Sequence, residues 1–507
     1  MSSATAVRNW LRLTFIGLAL LVGGVATGCG SGGNSSLSGG GTTGTSPLPS
    51  NQWTWIAGSS TLSAQTAVYG TQGMAAAGNT PGGRVSSSTW ADSSGNLWLF
   101  GGSAAADSSG NPVYMADLWK FSSSTKEWMW VGGTSSGNTK GSYGTLSTSS
   151  SASMPGARSG AVTWTDSSGN LWLFGGQGYD SVGTLGWLND MWEYSPSNNQ
   201  WTWIDGSSTV HAMDDGQPGI YGTQGTASSS NIPGGRWGAV AWTDANGKFW
   251  LFGGDAVDAR GLWADMNDLW SFDPGTKEWT WMGGSDTALN TEGSYGTINS
   301  PAATNLPPGR VGSVRWIDQQ GNLWLFGGNG YDPTGALGIF NDLWEFSTTS
   351  GMWTWVSGSS TVGPNGGQSA TYGTQGAPAA GNVPGGHVFA TSWRDSSGNF
   401  WFFGGGSYTT VPAPYAIEYY PSNELWEFNP GSKLWAWMGG SQTPGSSGGQ
   451  AGTYGNLGQP STAAVPGSRA NAAGWIDTDG NLWMFGGSGV DANGKKGPLN
   501  DLWRYAP

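Results

Sequence analysis

A pair of glycines that follows a short aromatic segment recurs six times along this chain of 507 residues. Successive pairs lie 74, 78, 74, 77 and 82 residues apart, and the same four strand-like segments surround each of them. The pairs are Gly101-Gly102, Gly175-Gly176, Gly253-Gly254, Gly327-Gly328, Gly404-Gly405 and Gly486-Gly487. A long period with several strands in each unit is typical of architectures in which every repeat packs on its neighbours.

The second repeat shows the pattern most clearly. Residues 159–164 form the predicted first strand, 171–174 the second, 190–194 the third and 201–203 the fourth. A segment of Asp, Ser, Gly and Asn that starts at Asp166 separates the first two strands, and these residue types favour a tight turn. Such turns carry too few carboxylates for a calcium loop. Each repeat therefore predicts a small antiparallel meander.

The order of these features resembles the Kelch repeat. An Arg precedes the first strand, an aromatic residue precedes Gly-Gly, the third strand reads Asn-Asp-Leu-Trp or a close variant, and the fourth is rich in Trp. The resemblance covers residues 52–507 and implies an all-β fold. The expected architecture is a single six-bladed Kelch-type β-propeller with four antiparallel strands in each blade.

The two ends of the repeat region are complementary. Residues 53–55 form a fourth strand with no first three strands before it, and residues 501–505 form a third strand with no fourth after it. We therefore expect the N-terminal strand to close the last blade, because such closure removes exposed strand edges.

Tryptophan is unusually frequent, with 34 copies in the chain. Thirty of them fill five equivalent positions in each of six repeats, which predicts aromatic packing between neighbouring blades. Trp10 lies near the N-terminus, and Trp187, Trp237 and Trp263 fall outside the repeated positions. These last three are candidate platforms for sugar faces or protein partners; the alternative is that they cover the cores of loops.

The N-terminus has the pattern of a secretion signal. Arg8 and Arg12 precede an apolar run at 13–26 that is short for a membrane span. The following segment ends at Cys29, the single cysteine, and resembles the lipobox of bacterial lipoproteins, although Ala26 stands where Leu is usual. The alternative is an ordinary signal peptide. We predict a signal peptide at 1–28, a lipidated Cys29 with a Gly/Ser/Thr-rich tether at 29–50, and the propeller at 51–507. The protein would then be exported and anchored in the cell envelope.

Composition excludes several functions. The net charge of −13 argues against a nucleic-acid partner, which needs clustered Lys and Arg. Galactose oxidase has Kelch blades, but its copper site needs two His, two Tyr and a crosslinked Cys. This chain has only His211, His387 and the distant Cys29. We therefore expect no copper activity, no metal, no cofactor and no assignable catalytic residue.

A basic residue ends each long linker between repeats. The six residues are Arg84, Arg158, Arg236, Arg310, His387 and Arg469, and they predict a ring near the mouth of the channel. In one interpretation the ring binds an anion or an acidic sugar, because guanidinium groups form planar forks with carboxylates. In the other, each Arg bonds loop carbonyls or a third-strand carboxylate such as Asp117, Asp190 or Asp268.

The predicted function is a non-catalytic binding or scaffold module for a protein or a glycan, which would bind on the face that carries the long loops. We expect a monomer. The alternative is a carbohydrate-active enzyme that is similar to the sialic-acid mutarotase, itself a six-bladed Kelch propeller. A buried His or carboxylate facing the basic ring would favour the enzyme, and an open Trp-lined surface would favour the binding module.

Overall fold

The computed structural model describes residues 50–62, 65–211, 216–288, 291–363, 366–407, 420–443 and 448–507. The predicted signal peptide, Cys29 and nearly all of the tether lie outside these residues. Within them every named element is a β-strand, and the paired strands run antiparallel. No helix in this part of the chain has the length and apolar character that a membrane crossing requires.

Each repeat forms a four-stranded antiparallel sheet in which the strands pair in chain order. The first strands are Ser88–Ala91, Val162–Thr165, Val240–Thr243, Val314–Ile317, Thr391–Arg394 and Ala473–Ile476. The second strands are Leu97–Phe100, Leu171–Phe174, Phe249–Val257, Leu323–Phe326, Phe400–Phe403 and Leu482–Val490. The third strands are Ala116–Ser122, Met191–Ser195, Trp263–Asp273, Leu343–Ser347, Leu425–Asn429 and Lys496–Ala506. The fourth strands are Glu127–Thr134, Gln200–Asp205, Glu278–Gly283, Met352–Ser357, Leu434–Gly439 and Gln52–Ala57.

Short strands extend these sheets at the end where the linkers arrive. Each begins at the basic residue of a linker, as in Arg158–Ser159, which pairs with Gln177–Tyr179. The others that begin in this way are Arg84–Val85, Arg236–Trp237, Arg310–Val311, His387–Val388 and Arg469–Ala470. Their partners are Ser103–Ala104, Asn329–Tyr331 and Gly406–Ser407 in three further repeats, and the second strand itself in the third and sixth repeats. A further short strand pairs with each separate partner: Val113–Tyr114, Leu185–Trp187, Leu337–Ile339 and Tyr420–Pro421. The fold is thus all-β and consistent with a β-propeller.

The two chain ends share the sixth sheet, as the sequence predicts. Gln52–Ala57 pairs with Lys496–Ala506, so that Trp53 lies opposite Tyr505. The Trp53 ring is buried and packs edge-on against Phe403 of the fifth repeat, with ring centroids 5.2 Å apart. The N-terminal strand therefore supplies both hydrogen bonds and core contacts to the last repeat.

Aromatic clusters fill the space between neighbouring sheets. One cluster joins Trp164 and Trp172 of the second repeat to Phe249 and Trp279 of the third, and another joins the sixth repeat to the first. This confirms the predicted role of most of the repeated tryptophans. The second Trp of the fourth strand is an exception, because it is only half-buried and packs on a linker tyrosine, as Trp203 does on Tyr143.

The first strands contact one another in chain order, and the sixth contacts the first. Six backbone hydrogen bonds with N···O distances of 2.7–3.3 Å connect the residues that lie two positions after each basic residue. These residues are Ser86, Gly160, Gly238, Gly312, Phe389 and Asn471. Each donates its N–H to its counterpart in the preceding repeat, and Ser86 donates to Asn471. All six have φ between 52° and 70°, the left-handed region that this path requires.

The long linkers do not simply project from one face. The linker that leads into the second repeat runs beside the fourth strand of that repeat, where Ser150 pairs with Trp201. Equivalent pairings occur at Ser228, Ala302, Ala379 and Ser461. A covered outer strand cannot template pairing with another chain, so the linkers protect the sheet edges.

We predict that Trp53→Ala lowers the free energy of unfolding by about 3–5 kcal/mol, because it removes a buried indole from the shared sheet. Trp201→Ala, at the equivalent position of the second repeat and with the same exposed fraction of 6%, should give a similar loss. Urea unfolding followed by tryptophan fluorescence measures both. Leu146→Ala, at an exposed linker position, is the control and should change little. A Trp53 variant as stable as this control would show that the N-terminal strand does not complete the sixth sheet.

Candidate functional site

The basic residue of the fourth repeat forms a buried ion pair. Arg310 Nη1 and Nη2 donate to the two carboxylate oxygens of Asp342 over 2.7 and 2.8 Å. Arg310 also donates to the backbone carbonyls of Gly327 and Pro308, each over 2.9 Å. Burial alone would lower the pKa of Arg310, but the Asp342 charge more than offsets this and raises it. The guanidinium is thus fully engaged within the protein.

The same carboxylate accepts two further hydrogen bonds. Trp344 Nε1 donates to Asp342 Oδ2 over 2.7 Å, and the hydroxyl of the linker residue Tyr295 donates to the same oxygen over 2.6 Å. We call this arrangement of Arg, Asp, Trp and Tyr the clamp. It occurs in five repeats, with the ion pairs Arg84–Asp117, Arg158–Asp190, Arg236–Asp268, Arg310–Asp342 and Arg469–Asp501.

The clamps decide what the five arginines can do. Each of these residues is at most 2% exposed. A ligand anion would have to displace an Asp that already satisfies the guanidinium with two-pronged geometry. The contacts are those of the structural interpretation, so the five arginines form a framework and not an open anion site.

The fifth repeat departs from the clamp. His387 is buried, and its Nδ1 lies 3.0 Å from the carbonyl oxygen of Gly385. Its Nε2 lies 3.7 Å from Glu424 Oε2 and has no hydrogen-bond partner among the described residues. Glu424 keeps the other two contacts, since it accepts from Tyr372 over 3.0 Å and from Trp426 over 2.8 Å.

This departure comes from two paired changes. Imidazole is shorter than the Arg side chain and has no fork, and Glu is one methylene longer than Asp. Together these changes keep the imidazole close to the carboxylate but remove the two-pronged hydrogen bond. Sequence reasoning noted His387 but missed Glu424, although the Asp-Leu-Trp motif reads Glu424-Leu425-Trp426 in the same repeat.

A polar cavity of about 260 Å³ lies beside Glu424 and Tyr372. Hydroxyl groups dominate its lining, at Ser369, Ser407, Ser422, Ser441, Thr443 and Ser468, with Asn423, Gln442 and Gln450 adding side-chain amides. Burial, with the Glu424 carboxylate beside it, raises the pKa of Tyr372 well above its ordinary value. The Tyr372 hydroxyl therefore stays protonated at neutral pH. The cavity presents both donors and acceptors of hydrogen bonds.

A second cleft, of about 170 Å³, is lined by the six residues that the backbone hydrogen bonds between repeats connect, from Ser86 to Asn471. Trp237 and Phe389 border it, with ring centroids 5.0 Å apart. Glycine is required beneath them, because a Cβ at Gly160 would lie 2.0 Å from Trp237 Nε1 and one at Gly312 would lie 2.5 Å from the Phe389 ring. The aromatic pair thus covers a part of the axis that is lined by glycine.

The other two tryptophans outside the repeated positions pack on each other. Trp187 and Trp263 have ring centroids 3.7 Å apart and nearly perpendicular rings, and both are half-buried. They come from the second and third repeats. The structure therefore brings two of the three candidate tryptophans together and places Trp237 with Phe389 instead.

The acidic turns have a structural role. In the first repeat Asp92 accepts hydrogen bonds from the backbone of Ser94 and Asn96 and from Trp98 Nε1. This geometry confirms the prediction that the segment forms a turn. Among the described residues, no group of three His, Cys, Asp or Glu side chains could hold a metal ion.

Comparison with known proteins adds little to this description. No protein-family model matches the chain, and no curated protein matches it. Among the solved structures, 316 chains match. One, titled "Structure of YjhT", has a TM-score of 0.46 and 17% sequence identity, and the match covers 83% of this chain and 95% of that chain. At this similarity it carries no argument, so the fold class rests on the strand order and pairing above.

We predict that Asp342→Asn lowers the free energy of unfolding by about 3–5 kcal/mol, since it leaves the Arg310 cation buried without its counter-charge. Glu424→Gln should cause a smaller loss, because His387 and Glu424 lie 3.7 Å apart without the two-pronged bond of a clamp. Urea titration of both variants at pH 7 measures the difference. Equal losses in the two repeats would contradict the view that the fifth repeat lacks an obligatory ion pair.

Proposed function

We propose that the chain is a six-bladed Kelch-type β-propeller that acts in the cell envelope as a non-catalytic binding module for a glycan. The observation that carries the binding role is the polar cavity beside Glu424 in the one repeat that lacks the clamp.

Three observations support six blades in a closed ring. Six four-stranded sheets follow one another along the chain, and the sixth combines both chain ends. The contacts between first strands return from the sixth to the first. The backbone hydrogen bonds at Ser86 and its five counterparts return in the same way.

The lining of the cavity matches the chemistry of a sugar. Sugar hydroxyls donate and accept hydrogen bonds, and the cavity offers serine and threonine hydroxyls, amides and the Glu424 carboxylate in a small volume. Pockets for small molecules usually span about 300–1,000 Å³, so this one suits a single sugar residue at the end of a glycan.

The departure of the fifth repeat from the clamp also supports a binding site in that repeat. Five repeats keep a clamp that joins the linker, the first strand and the third strand, whereas the fifth replaces it with the looser His387–Glu424 pair. Departures from the local sequence and packing pattern of a protein tend to occur at functional sites. A feature that occurs once in six copies is a better candidate for a site than one that occurs five times.

Saturation-transfer NMR with galactose, glucose, N-acetylglucosamine and N-acetylneuraminic acid tests this proposal. At least one sugar should bind, and Glu424→Gln should weaken its binding at least tenfold, because a hydrogen bond to a charged group contributes about 1.5–3 kcal/mol. Glu427→Gln, three residues further along the chain on the strand Leu425–Asn429 and outside the cavity lining, is the matched control and should bind normally. Absence of binding by all four sugars, or equal affinity in the Glu424 variant, would refute the cavity as a glycan site.

A carbohydrate-active enzyme, similar to the sialic-acid mutarotase, is the second candidate. The buried His387 lies 3.7 Å from Glu424, and the protonated Tyr372 hydroxyl lies on the other carboxylate oxygen. A base could accept the proton of the anomeric hydroxyl while an acid protonates the ring oxygen. The ring C–O bond would then break to give the open carbonyl, and reclosure would reverse these transfers. In the same NMR samples, anomer exchange that Glu424→Gln abolishes would favour the enzyme, and binding without faster exchange would favour the module.

The envelope location rests on the sequence before residue 50. The Arg-containing start, the apolar run and the lipobox-like segment before Cys29 support export and lipidation. Full-length protein expressed in a bacterial host with an alkynyl fatty acid should be labelled and should sediment with membranes. Cys29→Ser should be unlabelled and released into the soluble fraction. Equal labelling of both forms would exclude Cys29 as the anchor.

A further inference from the structure

The first strand of each repeat has one face toward its neighbouring sheets and one toward the axis. In the fourth repeat Val314 and Trp316 are buried, and Trp316 stacks on Phe400 of the next repeat with centroids 5.2 Å apart. Arg315 lies between them and is exposed to solvent. Because side chains alternate along a strand, Arg315 occupies the axial face. The first strands contact one another in chain order and the sixth contacts the first, so the exposed face that carries Arg315 is directed to the space that these strands surround.

Arg315 is a departure from the repeat. The equivalent residues of the other repeats are uncharged: Thr89, Thr163, Ala241, Ser392 and Gly474. Among the described residues Arg315 forms no side-chain hydrogen bond or ion pair. Burial among the surrounding strands lowers the pKa of its guanidinium to about 10, so the group is still a cation at neutral pH. The Arg315 side chain is thus accessible to water although many protein atoms surround it. This combination is expected for a residue in a water-filled channel.

A second cation lies on the neighbouring wall. The hydroxyl of Ser392 donates to the backbone carbonyl of Arg315 over 3.1 Å, which places these two residues at the same level. Arg394 is two residues further along that strand, about 7 Å at roughly 3.3 Å per residue, and on the same face. Its Nε is buried and has no hydrogen-bond partner among the described residues.

None of the six first strands carries an acidic residue at these two positions. The residues equivalent to Arg394 in the other repeats are Ala91, Thr165, Thr243, Ile317 and Ile476. An uncompensated cation held among strands is unfavourable, and natural proteins normally pair such a group. Elsewhere the chain pairs five buried arginines with carboxylates in the clamps.

We infer that the channel between the first strands of the fourth and fifth repeats binds a small oxyanion, a carboxylate or a phosphate, through Arg315 and Arg394. Both guanidinium groups offer planar forks of donors that match such oxyanions, and Ser392 adds a hydroxyl at the level of Arg315. The site is separate from the glycan cavity, because neither arginine lines that cavity.

Isothermal titration of the purified full-length protein with inorganic phosphate and with acetate, at constant ionic strength, tests the site. At least one anion should bind, and the stronger of the two identifies the class. Arg315→Thr, which introduces the residue found in the first two repeats, should weaken binding at least tenfold. Arg260→Gln, which changes an exposed arginine next to Asp258, is the matched control and should bind as the natural protein does. Glu424→Gln should also leave anion binding unchanged, which keeps this result independent of the glycan experiment.

The ligand-free stability of Arg315→Thr provides a second measurement. Its melting temperature should equal or exceed that of the natural protein, because the substitution removes an unpaired cation without opening the core. Failure of both anions to bind, equal affinity in Arg315→Thr, or a lower melting temperature of that variant without ligand would each overturn the inference.

Discussion

The buried carboxylate of the clamp is the interaction on which the rest of the structure depends. In the first repeat Asp117 bonds to Arg84 on the short strand Arg84–Val85, to Tyr69 in the linker and to Trp119 on its own strand. Arg84 in turn bonds to the carbonyl of Gly101 in the glycine pair. One ionic group thus joins the linker, the short strand before the first strand, the turn after the second strand, and the third strand. Removing the Arg or the Asp leaves a buried charge without its partner, which is strongly destabilising.

The glycine pairs connect each clamp to the next repeat through backbone hydrogen bonds. Gly102 donates its backbone N–H to the carbonyl of Arg158, the clamp residue of the following repeat, over 2.8 Å. Its φ of 95° is in the left-handed region, and a Cβ there would lie 2.4 Å from the Ser87 hydroxyl. Gly328 of the fourth repeat keeps this bond to the carbonyl of His387 in the fifth repeat. This backbone hydrogen bond is therefore kept where the side-chain clamp is lost, so the fifth repeat changes its side-chain chemistry without losing this link to the fourth.

Much of this organisation could be predicted from the sequence because it depends on local patterns that recur. The four strands, the acidic turns and the shared sixth sheet each follow from residue types at fixed spacings. The course of the linkers could not be predicted, because it depends on where the outer strand of the same repeat lies. The half-buried state of Trp203 follows from that course. The role of Arg315 could not be predicted, because it depends on which face of the first strand is directed to the axis. Only the packing of neighbouring sheets defines that face.

Both proposed sites lie where the repeat is broken, yet they have opposite charge. The cavity holds the Glu424 carboxylate, and the channel holds two cations in a chain whose net charge is −13. The overall charge would repel an anion at long range. At physiological ionic strength, however, exposed charges are largely screened beyond about 8 Å, whereas groups enclosed by protein are screened much less. The local field of Arg315 and Arg394 therefore determines what the channel holds, and the overall charge mainly slows the approach of an anion to its mouth.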